Sequence, residues 1–154
     1  PSYYIWPPEV HYINFLLHKK DQPTLTDIEN LCETFTKHAF HGRFSPLFIE
    51  KYKVSCRDFL KQFLGRDSSE VILEIITFWS TWDIFALCFM YLDFFIKIAD
   101  GSEFVTGISE LLMQNINPDP TKRLDIKQTA TRFNQFKNNQ KYDEIVKKFA
   151  LLRT

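Results

Sequence analysis

Three cysteines, four histidines and one short aromatic-proline run are the residues of this 154-residue chain with most reach for chemistry. Cys32, His38 and His41 supply three of the four nitrogen and sulfur ligands of a tetrahedral zinc site. No fourth ligand stands at a suitable spacing, so no metal is expected here. Cys32, Cys56 and Cys88 are far apart and form no C-x-x-C pair, which reads as reduced, buried thiols in a cytoplasmic, intracellular compartment. No Ser-His-Asp or Cys-His arrangement can be argued from spacing. Four glycines leave little material for a phosphate-cradling loop. Lys137, Lys141, Lys147, Lys148 and Arg153 make the tail basic, but Asp143 and Glu144 interrupt it, as on a solvated helix face. Lysine plus arginine and aspartate plus glutamate both number 19, so no domain-wide footprint for nucleic acid is expected.

The elements that must position these residues read as helices. The apolar fraction is 45%, ordinary for a globular protein, while 16 phenylalanines and few glycines suit a helical core filled with large rings. Pro7 and Pro8 fit the first turn of a helix carrying Val10, Ile13, Leu16 and Leu17 and ending near Lys19-Lys20. Thr26-x-x-Glu29 reads as a capping box before Ile28, Leu31, Cys32 and Phe35, and His41-Gly42-Arg43 as the break after them. A short helix is expected over Pro46 to Tyr52, and a second box, Ser55-x-x-Asp58, before a stop at Gly65. An apolar segment follows from Ser69 to Phe78.

Ser80 or Thr81 then caps the most apolar helix, Trp82 to Ile98, whose few polar faces place it in the middle of a domain. The stretch Ile75 to Leu92 has the length of a membrane span. Asp83 lies near its centre, where a charge costs about 2.5–3.5 kcal/mol to insert, so a core helix is expected and no membrane partner. No secretory signal pattern stands at the start. Phe104, Ile108, Leu111 and Leu112 mark another helix, Asp125-x-x-Gln128 opens the next, and Tyr142 to Leu152 reads as a last amphipathic one. No repeat and no convincing strand is found. The expectation is a single all-α domain over residues 1–154.

Three pieces occur in a telling order: Pro7-Pro8-Glu9, Asp83-x-Phe85-Ala86-x-Cys88, and Asn117-Pro118-Asp119-Pro120-Thr121-Lys122-Arg123. Together they resemble the C-terminal lobe of the eukaryotic-type serine/threonine protein kinases. That family closes its activation segment with Ala-Pro-Glu, starts a buried helix with Asp-x-Trp-Ser-x-Gly, and carries an Asp-Pro-x-x-Arg loop between two late helices. Here Pro7 replaces the alanine and Cys88 the glycine, while the Asp-Pro-x-x-Arg loop is matched in full. The resemblance covers residues 2–17 and 78–136. Residues from about 20 to 70 lie outside it and read as a helical insertion. This aromatic-rich, insertion-bearing character is similar to the divergent kinases of large DNA viruses.

The resemblance implies a partial kinase-like C-lobe built round a buried central helix. It implies an ion pair between Glu9 and Arg123, and Asp83 as support for the backbone of a catalytic loop. Ser2, Tyr4, Ile5 and Trp6 would form the substrate-facing P+1 loop, with Ser2 where the family places a threonine against the catalytic aspartate. The parent protein would use ATP and Mg²⁺ to phosphorylate serine or threonine on a protein substrate. Its nucleotide and catalytic motifs would precede Pro1, and that N-terminal part would be this chain's partner. Gly65-Arg66-Asp67 is no His-Arg-Asp loop, because Ile72 stands where the metal-binding Asn is needed. The chain alone is therefore expected to have no catalytic, cofactor-binding or metal-binding residue and to transfer no phosphate. Without its catalytic loop such a lobe would leave apolar surface bare along residues 82–98. A pseudokinase-type binding module and an unrelated helical interaction domain are the alternatives.

Overall fold

The computed structural model describes residues 4–19, 21–98 and 103–139, and every regular element among them is helical. Seven α-helices follow in order: α1 (Pro8–His18), α2 (Leu25–Phe40), α3 (Pro46–Leu60), α4 (Ser68–Ile76), α5 (Trp82–Ile98), α6 (Glu103–Asn115) and α7 (Ile126–Asn139). Single 3₁₀ turns lie at Lys61–Phe63, Trp79–Thr81 and Pro120–Lys122. The all-α expectation holds. Residues 142–152, expected to form a last helix, lie outside the described residues apart from their sequence.

Helix α1 starts as its prolines dictate. Pro7 is extended (φ −67°, ψ 159°) and Pro8 takes a first-turn position that needs no N–H. Glu9 is then set in the first turn, where a carboxylate suits the positive end of the helix.

Two expected caps are corrected. Helix α2 is capped by Thr24, not Thr26: the Thr24 hydroxyl accepts the Asp27 N–H at 3.2 Å and the Asp27 carboxylate accepts the Thr24 N–H at 2.8 Å. Lys19 adds an ion pair to the same carboxylate at 2.5 Å, a tertiary contact that favours this box over the overlapping one at Thr26. Ser55 does not cap at all. Helix α3 runs unbroken from Pro46, capped by Ser45, and Ser55 lies in its interior. Tyr52, Cys56, Phe59 and Leu60 are buried at helical spacing, and this one continuous stripe carries the helix past Tyr52. Asp67 caps α4, accepting the N–H groups of Ser69 and Glu70 at 2.9 and 3.1 Å. The breaks expected at Gly42 and Gly65 are found, each glycine holding a positive φ (75° and 73°).

Helices α2 and α3 form an antiparallel hairpin. Phe40 meets Phe48 and Tyr52, Phe35 meets Tyr52, and Cys32 meets Cys56, so contacts climb one helix as they descend the other. Phe40 also touches Phe35, Phe44 and the α5 residue Phe89, its ring centroid 5.6 Å from that of Phe89. Residues 21–70 thus share one hydrophobic cluster with α1 and α5. Helices α6 and α7 are likewise antiparallel, since Gly107 approaches Phe136 while Asn115 bonds Thr129.

Helix α5 departs from the central placement that its composition suggests. Ile84, Phe85, Cys88, Phe89 and Leu92 are buried in the core, but Leu87, Met90, Tyr91 and Phe94 are each more than half exposed. Only a third of Trp79–Lys97, the one described helix long and apolar enough to cross a membrane, is buried. Neither Ser80 nor Thr81 caps it. The 3₁₀ turn at Trp79–Thr81 runs straight into α5, and the Thr81 hydroxyl donates back to Phe78 O at 2.9 Å. One side of the helix therefore serves the core, while its outer side presents bare apolar groups.

Candidate functional site

The site is built where the first helix, the start of α5 and the Asp-Pro loop converge. Glu9 enters from the first turn of α1 and Arg123 from the end of the 3₁₀ turn that follows Asp119. They are 114 residues apart, and the guanidinium grips the carboxylate with two bonds, Nη1 to Oε1 at 2.5 Å and Nη2 to Oε2 at 2.9 Å. The side chains are 1% and 0% exposed. This is the fork geometry in which arginine matches a carboxylate better than lysine does.

The rest of the guanidinium is also accounted for. Arg123 Nε donates to the Asn117 carbonyl at 2.7 Å, Nη1 reaches the Thr81 hydroxyl at 3.3 Å, and Nη2 faces the Pro118 carbonyl at 3.5 Å. All five N–H groups of the arginine have an acceptor in range. The guanidinium lies 4.8 Å from the centroid of the Phe85 ring, adding a cation–π contact. A buried ion pair survives only when its remaining donors are satisfied, and here they are.

The loop is held from the other side by Asn115, fully buried at the end of α6. Its side-chain oxygen accepts the Leu124 N–H at 3.2 Å and the Thr129 hydroxyl at 3.3 Å, and its amide donates to Leu111 O at 3.1 Å. Asp119 caps the 3₁₀ turn through the Thr121 N–H at 3.0 Å. Burial works to raise the Asp119 carboxyl, but hydrogen bonds from Thr121 and Lys122 hold it below the ordinary range. The Gln128 N–H and Asp125 carboxylate, and the Asp125 N–H and Gln128 amide oxygen, pair reciprocally at 2.7 and 3.0 Å, the expected capping box of α7.

The other expected site residues are dispersed round this junction. Asp83 stands in the first turn of α5, exposed to solvent. Ser2 lies outside the described residues. Tyr4 is stacked between two imidazoles, 5.1 Å from His11 and 4.5 Å from His38. Tyr4 and Ile5 line an open cleft of about 420 Å³ with Ala39, Phe89, Met90 and the ion-paired Arg43 and Asp93, 3.4 Å apart. Trp6 is 36% exposed and does not line that cavity. His38, one of the zinc candidates, is used in the Tyr4 stack, and Cys32 faces Cys56.

Thr81, Phe85, Asn115 and Asn117 are the partners that sequence reasoning missed. Asn117 and Phe85 stood in the quoted motifs and Thr81 was a cap candidate, but none was expected to meet Arg123. Among the described residues no three His, Cys, Asp or Glu side chains are grouped to hold a metal ion. Gly65 follows a helix end and Asp67 caps α4, so neither belongs to a phosphate site. The Glu9–Arg123 pair anchors the head of α1, which directly follows the Tyr4–Trp6 segment, to the loop at 117–123. No family model, no curated protein and no solved structure matches the chain.

Proposed function

We propose that the chain is the C-terminal part of a divergent serine/threonine protein kinase domain, a partial kinase-like C-lobe. Its parent transfers the ATP γ-phosphoryl group, with Mg²⁺, to a protein hydroxyl. One observation carries the reading: the buried bidentate Glu9–Arg123 pair joins the Pro-Pro-Glu motif to the Asp-Pro-x-x-Arg motif across 114 residues. The resemblance implies that contact, and nothing in local periodicity does. In this reading Tyr4, Ile5 and Trp6 belong to the substrate-facing loop, held in place by the ion pair. Asp83, exposed at the head of α5, awaits the catalytic-loop backbone supplied by the N-terminal part.

The coding frame upstream of Pro1 tests the proposal. It should encode a catalytic Asp followed by metal-binding Asn and Asp, and the longer protein should label a Ser/Thr protein substrate from γ-labelled ATP. A kinase-like frame lacking those acidic residues makes the parent a pseudokinase-type binding module. An upstream frame with no kinase motif at all overturns the reading.

A second reading, a helical interaction domain unrelated to kinases, draws on the apolar groove of about 430 Å³ between α5, α6 and α7. It predicts that the 154-residue chain is functional without any upstream partner.

A further inference from the structure

Cys32 and Cys56 face each other across the α2–α3 hairpin. Their sulfur atoms are 3.1 Å apart, and both residues are fully buried. The position is fixed from several sides. The Thr36 hydroxyl donates to the Cys32 carbonyl at 2.9 Å, the Phe35 and Tyr52 rings stack one turn further along, and Lys53 bridges to Glu33 at 2.9 Å. A disulfide has an S–S length of about 2.05 Å, so closing this pair asks for roughly 1 Å of approach. The third cysteine, Cys88, is on α5 and takes no part.

The two thiols differ in depth. Cys32 forms part of the wall of a surface cleft of about 330 Å³ between α2 and α3, lined also by Glu29, Arg57 and Lys53, the last ion-paired to Glu33 and Glu50. Cys56 lies deeper: burial, with the Cys32 hydrogen bond second, pushes its thiol well above the ordinary range and holds it protonated. The two thiols are thus unequal, one beside a cleft and one behind it.

We propose that Cys32 and Cys56 are a modification site, a dithiol that a hydroperoxide converts to an intramolecular disulfide pinning α2 to α3. The Cys32 sulfur attacks one peroxide oxygen, the O–O bond breaks, and the other oxygen leaves as alcohol or water. Cys32 is now a sulfenic acid, oxidised by two electrons. The Cys56 sulfur attacks it, the S–S bond forms, the S–O bond breaks, and hydroxide leaves with the Cys56 proton as water. Two thiols and one hydroperoxide give one disulfide, one alcohol (or water) and one water. A dithiol reductant reverses the link by thiol–disulfide exchange.

The test treats the reduced 154-residue chain with hydrogen peroxide, unfolds it in an alkylating reagent and maps the peptides by mass spectrometry. A linked Cys32–Cys56 peptide with Cys88 alkylated is the expected result. The melting temperature of the oxidised chain should be higher by about 5–10 °C and return on reduction. Cys88→Ser should form the link and Cys32→Ser should not. Recovery of Cys32 and Cys56 both alkylated, or linkage only through Cys88, overturns the proposal. The wild-type map decides the matter even if a cysteine variant fails to fold.

Discussion

The junction at Glu9 and Arg123 and the outer face of α5 are chemical opposites. At the junction two full charges are removed from water, and each guanidinium N–H still finds an acceptor. On α5 the side chains are apolar, and Leu87, Met90, Tyr91 and Phe94 stand in solvent. The first inverts the usual rule that charges lie outside, and the second inverts the rule that large apolar groups lie inside. The difference separates what the chain completes by itself from what it leaves open. The anchor is finished within residues 9–123. On the α5 face these four side chains stay more than half exposed among the described residues.

The contrast can be tested by substitution. Arg123→Met strands the Glu9 carboxylate in a dry site and should destabilise the chain by about 3–5 kcal/mol, read as a lower urea midpoint. Asn115→Ala removes the amide that holds the Leu124 N–H and the Thr129 hydroxyl, and should cost about 1–3 kcal/mol in the same assay. Thr24→Ala, at an exposed cap remote from the anchor, should cost about 1 kcal/mol. That cap also has a pH signature. The hydrogen bond from Lys19, and then those from Thr24, lower the Asp27 carboxyl from 3.8 to about 2. A carboxyl lowered by folding stabilises above its unfolded value, and that contribution is lost as pH falls from about 3.8 towards 2. Thermal melts of Thr24→Ala should show a weaker loss across this window than wild type.

The smallest stability effect is expected on α5. Met90→Lys with Phe94→Lys should leave the urea midpoint within about 0.5 kcal/mol of wild type, because neither side chain packs in the core. It should also abolish the concentration-dependent sedimentation that the bare face predicts for wild type. Loss of several kcal/mol from this pair would show that the outer face is structural.

Much of this architecture was legible because helix signals are local. The prolines before Glu9, the breaks at Gly42 and Gly65, and the Asp125–Gln128 box each act within four residues. What failed did so where a local signal had a competitor. Thr24-x-x-Asp27 and Thr26-x-x-Glu29 are overlapping boxes, and the contact from Lys19 favours the first. Ser55 has a capping pattern, but the buried stripe from Tyr52 to Leu60 overrides it. Composition alone suggested that α5 lies in the middle of the domain, because composition cannot tell a helix buried all round from one with an exposed apolar side. At the site, the Glu9–Arg123 contact followed from motif order alone. The contacts of Thr81 and Phe85 with Arg123 escaped notice because they depend on where a distant arginine comes to rest.

The most direct measurement is a double-mutant cycle on the anchor, with Glu9→Gln, Arg123→Met and the double variant unfolded in urea. A dry, bidentate pair should give a coupling energy of at least about 2 kcal/mol, with the double variant more stable than the sum of single losses allows. Losses that add within about 0.5 kcal/mol would mean that the two residues do not act on each other. The anchor between the head of α1 and the Asp-Pro loop would then be refuted.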